Sequence, residues 1–176
     1  MKTLSRFAVC TLLLSGILGV QNIVSAQTTR AQKKQAKTDS VKKMVNSQSY
    51  VFMAQFANPL GWRTITLNYD YDLVISKDSI DSYLPYYGRA YVAPINPNDP
   101  TETGIQFKTK TFDYKNDPSK KGGWAITIVP HNVKETRKFI LDISESGYAT
   151  LNVTSSNRQS ISFNGYITEN LAKKKK

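Results

Sequence analysis

From Tyr50 onward the chain alternates apolar and polar residues with a period of two. Ile65, Leu67, Tyr69, Tyr71, Leu73 and Ile75 share one phase, and Thr66, Asn68, Asp70 and Asp72 fill the other. Successive side chains of a strand point to opposite faces, so this run predicts a strand with one buried and one wet face. Tyr50, Phe52, Ala54 and Phe56 form an earlier strand in a single phase, ended by Asn58-Pro59-Leu60-Gly61, which suits a type I turn. Between Gly104 and Tyr114 the phase slips. Ile105 and Phe107 are odd, Phe112 and Tyr114 even, which places a bulge or bend between them.

The remainder reads as hairpins. Asn116 to Gly123 has the composition of a loop, and Trp124, Ile126 and Ile128 then alternate up to Pro130. Phe139, Leu141 and Ile143 lead to a turn at Glu145-Ser146-Gly147; Ala149, Leu151 and Val153 lead to another near Ser156-Asn157-Arg158. Ile161, Phe163, Gly165 and Ile167 close the series. Short connections force antiparallel neighbours. Ahead of the strands, Val41, Met44, Val45 and Gln48 recur at helical spacing, with Asp39 or Ser40 as the cap. The expected fold is all-β, a single antiparallel meander over 49–170, barrel-like or folded as two packed sheets. A short N-terminal amphipathic helix precedes it. Curling buries the apolar faces and limits open edges.

The ends differ in kind. Lys2 and Arg6, the apolar run Ala8 to Val20, and the small residues Val24-Ser25-Ala26 read as a signal peptide over 1–26, with Gln27 as mature start. The run falls short of the ~20 residues of a membrane span. Cys10 is preceded by Val9 and followed by most of the apolar run, so it reads as part of the signal and not as a lipid-attachment site. The mature chain then holds no cysteine, hence no disulfide and no thiolate chemistry. Export to the periplasm or exterior is the expected destination.

The 24 basic and 13 acidic residues give a net charge of +11. The excess is not in the body, where Tyr50 to Asn170 holds 12 of each sign. It lies in the signal, in a basic arm within 27–48, and in a basic tail at 171–176. Such ends are ordinarily solvated and disordered, with weak contact to anionic surfaces as the functional alternative. A neutral body on an exported chain argues against nucleic acid as a partner.

The stretch Asp81-Ser-Tyr-Leu-Pro-Tyr-Tyr-Gly-Arg-Ala-Tyr-Val-Ala-Pro94 concentrates aromatic rings around one arginine. Together with Phe52, Ala54, Pro59, Leu73 to Ile75, Lys77-Asp78-Ser79-Ile80 and Gly104-Ile105-Gln106-Phe107, it resembles domain-of-unknown-function family 4251, exported and lipoprotein-type proteins of Bacteroidetes-type bacteria. The resemblance spans roughly Val41 to Ile167. It implies an exported envelope protein of mostly antiparallel β structure, and it carries no catalytic residue or ligand with it. The chain lacks a lipobox cysteine, so membrane attachment is not implied.

Catalytic patterns are weak. His131, the single histidine, would need a serine and an acid such as Asp142 or Glu145 to form a triad, and no nucleophile elbow accompanies it. One histidine and no mature cysteine disfavour a catalytic zinc site. Asp70, Asp72, Asp78 and Asp81 lack the spacing of a calcium loop, and Gly122-Gly123 lacks the phosphate-loop pattern. The Asn152-Val153-Thr154 sequon carries little weight in a bacterial product. No cofactor or metal is expected.

Tyr83, Tyr86, Tyr87, Arg89 and Tyr91 are the candidate ligand-binding residues, since rings and arginine give contact area at low entropic cost. The structural alternative has Pro85 and Gly88 shaping the chain, the tyrosines packing, and Arg89 neutralising Asp78 or Asp81. The leading expectation is a non-enzymatic envelope binding module with a Tyr/Arg-lined groove, for a small molecule or an envelope protein. An interaction or scaffold protein using a sheet edge or the basic ends comes second, and a hydrolase third.

Overall fold

The computed structural model describes residues 21–93, 95–119 and 122–170. The signal segment up to residue 20 and the basic tail at 171–176 lie outside them. Among the described residues, no helix is long and apolar enough to cross a membrane. Helix α1 (Gln21–Ser47) is longer than the Val41–Gln48 periodicity alone predicts, and the basic arm expected to be disordered is its exposed N-terminal part. Two compact units divide within it, after Lys37. In the second unit Val41 and Val45 are buried and Met44 packs against the core. Gln48 takes φ 48° at the helix end and its amide donates to the Val45 carbonyl, a left-handed cap that stops the helix before the first strand.

Among the described residues nine strands follow: β1 (Tyr50–Pro59), β2 (Ile65–Ile75), β3 (Ile80–Leu84), β4 (Ile105–Thr109), β5 (Phe112–Pro118), β6 (Trp124–Pro130), β7 (Thr136–Ile143), β8 (Tyr148–Ser155) and β9 (Ile161–Glu169). A one-turn helix α2 (Pro100–Thr103) precedes β4. They form one antiparallel sheet in the order β4-β3-β2-β1-β9-β8-β7-β6-β5. Every neighbour pair is a sequential hairpin except β1 with β9, which joins the two halves along nine register pairs.

The expected all-β meander is therefore the fold, and it is barrel-like. Phe107 of β4 stacks on Phe139 of β7 with ring centroids 5.8 Å apart. Tyr50 of β1 meets Tyr114 of β5 hydroxyl to hydroxyl at 3.2 Å. These contacts cross the interior, so the sheet wraps round one core that includes Phe52, Leu73, Ile128, Leu141, Leu151 and Phe163. Burial pushes the Tyr50 phenol well above its ordinary pKa, and the neighbouring Tyr114 adds to this. A raised phenol pKa keeps Tyr50 neutral, as suits a hydroxyl buried at the edge of an apolar core.

Two local expectations change. The phase slip between Phe107 and Phe112 is a break, not a bulge within one strand. Lys110 and Thr111 form a corner, and the strands on either side go to opposite edges of the sheet. Thr109 Oγ1 holds the corner, its single proton shared between the carbonyls of Thr111 and His131, each at 3.2 Å. β1 carries a bulge instead. Its register shifts between Ala54 and Phe56 against both neighbours, so Ala57 is buried while Gln55 and Phe56 both face outward. Phe56, placed in the core phase by alternation, is 40% exposed.

Candidate functional site

The signature stretch leaves β3 at Leu84 and crosses the open end of the sheet. Pro85 fixes φ, and Gly88 takes φ 149°, where a Cβ would press on the Tyr86 hydroxyl. The chain then lies against the β8–β9 turn. Tyr91 donates its amide to the Asn157 carbonyl at 2.8 Å, Gln159 donates to the Arg89 carbonyl at 3.0 Å, and Ala90 bridges Arg158. The Tyr86 hydroxyl contacts the carbonyls of Arg89 (2.9 Å) and Gln159 (3.0 Å) and shares its single proton between them. Burial raises its pKa, and the Arg158 charge opposes the rise.

Beneath Tyr86 lies a residue that sequence patterning did not single out. The Arg158 guanidinium sits 5.0 Å from the Tyr86 ring centroid, and its side chain is only 6% exposed. Its Nε donates to Glu135 Oε2 at 2.7 Å. Its Nη1 donates to the carbonyls of Gly104 (2.9 Å) and Thr103 (3.3 Å), and its Nη2 to that of Glu102. One planar cation thus ties together the β8–β9 turn, the β6–β7 loop, α2 and the signature loop.

The five candidate residues separate by role. Tyr86 and Tyr87 are partly buried against the core. Tyr83 is 49% exposed on β3 and stacks on Tyr71 at 5.5 Å. Arg89 is exposed, and Tyr91 is 64% exposed. Asp81 is paired with Lys108 at 2.9 Å, and among the described residues no ion pair joins Arg89 to Asp78 or Asp81. The five do not form one wall. Residues just downstream do converge: Val92, Ala93 and Ile95 line a cleft of 580 Å³ with Gln106, Lys108 and Lys134.

The catalytic and metal candidates stay dispersed. His131 Nε2 lies 3.1 Å from Asp113 Oδ2 in an exposed pair. Asp142 is set beside Ala125, at the far end of β6 from His131, roughly 20 Å away along the strand. Among the described residues no cluster of three metal-ligating side chains occurs.

Asp72, beside Asp70 and Asp81 on the outer face, has its carboxyl pKa raised by burial first and by those two charges next. The folded state therefore favours the protonated acid. That contribution is present below the unfolded pKa and is lost as pH rises through the raised folded value. Asp72→Asn is expected to stabilise the protein at pH 7, by at most ~1 kcal/mol because the side chain is partly solvated. The gain fades toward about pH 4, where aspartate protonates. Thermal melts of both proteins at the two pH values check this.

An antiparallel barrel of sequential hairpins with an arginine-locked surface loop at its open end is the class of protein defined by these features. The chain belongs to the family DUF4251 (domain of unknown function), whose profile matches residues 32–167. The crystal structure of a DUF4251 family protein from Bacteroides eggerthii DSM 20697 is similar in fold. Its TM-score is 0.57 at 12% sequence identity, over 76% of this chain and 88% of that one. Comparison with curated proteins yields no match.

Proposed function

We propose that this protein is an exported, non-enzymatic binding module of the cell envelope, whose contact surface is formed by Arg89 to Ala93, Ile95 and the adjoining cleft. The observation that carries the reading is rigid display. Tyr91 and Val92 are 64% and 60% exposed, yet the segment that bears them is tied to the β8–β9 turn at Arg89, Ala90 and Tyr91, over Tyr86 and buried Arg158. Apolar side chains held in solvent on a pre-ordered loop lose little entropy on binding. Arg89 supplies a cation beside them for a carboxylate or a ring.

Native mass spectrometry of the mature chain against fractionated envelope extract tests the reading. The expected result is a bound species weakened about 10-fold or more in Arg89→Ala and in Tyr91→Ala, with melting unchanged, as suits exposed sites. Undiminished binding in both variants removes this surface from the function. A second reading, an envelope scaffold that engages a partner strand, is favoured by the edges of β4 and β5, which do not pair with each other. It predicts loss of the complex on altering Gln106 or Lys108 and retention in Arg89→Ala.

A further inference from the structure

A second cleft, of 960 Å³, lies on the outer face of the barrel and shares no residue with the first. Gln55 and Phe56 of the β1 bulge line one side of it. Two consecutive residues, Gln55 and Phe56, face outward where alternation would allow one, and Gly165 opposite lets β1 and β9 approach closely enough for the sheet to bend. Register then sets a row across four strands, Asp142 to Thr150 to Asn164 to Phe56. Tyr148, 64% exposed, stands at one end of the cleft opposite Tyr166 on the next row. Thr150 Oγ1 donates to Asn164 Oδ1 at 3.1 Å, which orients the amide and directs its NH₂ away from Thr150.

The lining selects a ligand class. Among the described residues its lining holds one carboxylate, Asp142, and no lysine or arginine. Its floor is built from β1, β9 and β8, each paired on both sides, so an extended peptide finds no backbone edge to extend. What remains is ring faces beside an oriented amide, a second amide, a hydroxyl and a carboxylate. Rings pack on the C–H face of a sugar, and the polar groups match its hydroxyls as donors and acceptors. The volume falls within the range of small-ligand sites, ~300–1,000 Å³. We propose that this outer cleft binds an oligosaccharide, with Phe56 and Tyr148 stacking on the sugar rings and Gln55, Asn164 and Asp142 reading hydroxyls.

Titration calorimetry and amide-resonance mapping of the mature chain test this, using neutral oligomers of glucose, xylose, mannose and N-acetylglucosamine. At least one is expected to bind saturably with Kd below about 1 mM, with shifts centred on β8, β9 and β1. Phe56→Ala and Tyr148→Ala each weaken it about 10-fold, and Tyr148→Phe, which keeps the ring, retains it. Asp142→Asn weakens it less, and Tyr91→Ala leaves it unchanged, which separates this site from the loop surface. Absence of saturable binding by all four oligomers overturns the proposal. So does binding undiminished in both alanine variants, or capture of a protein by this face without sugar.

Discussion

Arg158→Leu is expected to destabilise the folded chain by about 3–5 kcal/mol, the range for breaking a buried ion pair from one side. The loss has three parts. Glu135, whose side chain is 34% exposed, loses its partner, the carbonyls of Glu102, Thr103 and Gly104 lose their donor, and Tyr86 loses the cation over its ring. The loop that Arg158 supports should become protease-sensitive, because its remaining ties to the β8–β9 turn are two backbone bonds and the Tyr86 hydroxyl. Chemical denaturation gives the energy, and limited proteolysis near Val92 gives the local effect. Removing both charges, in Arg158→Leu with Glu135→Leu, should recover part of the loss. A double variant as unstable as the sum of the singles would mean that the carbonyl contacts matter more than the ion pair.

Gly165→Ala is expected to be at least as damaging. A Cβ at Gly165 would collide with the Met53 carbonyl oxygen and crowd the Ala54 Cα, both backbone atoms of the strand across the closing pair. Backbone cannot swing aside as a flexible side chain can, so β1 and β9 must separate where they join the halves of the sheet. A cost above ~3 kcal/mol, or failure to fold, is the expected result. Gly61→Ala serves as comparison, since Gly61 sits at φ 78° with nothing within 4 Å of the added atom. Its cost should stay near 1 kcal/mol, from backbone conformation alone. Equal melting losses in the two variants would refute the close-approach argument.

Much of the architecture is legible in the sequence because hairpin pairing is local. The alternation in β2, the turn at Gly147 and the phase of β9 each follow from neighbouring residues. The break at Lys110-Thr111 shows only as a slip of phase, since the separation of β4 from β5 depends on strands far along the chain. The bulge at Gln55 is hidden because Tyr50, Phe52, Ala54 and Phe56 alternate without interruption, and only the register against β9 shows that Phe56 has left the core. Arg158 is hidden for a similar reason. Its burial depends on carbonyls more than fifty residues earlier, which no local pattern encodes. The tyrosine-rich stretch stands out by composition alone, but its residues divide between fastening the loop and facing solvent. That division follows from the kink at Pro85-Tyr86 and the turn at Gly88.

The pairing of β1 with β9 also bears on the order of events during folding. The first strand made is completed by the last, so one side of β1 stays open until about 110 further residues are available. A loop of that length must be closed before the halves join, and such non-local closure slows folding. On the proposed export route, with the chain threaded N-terminus first, the exposed flank of β1 would persist for the whole passage. Any factor that shields unfinished proteins from aggregation would find its target there.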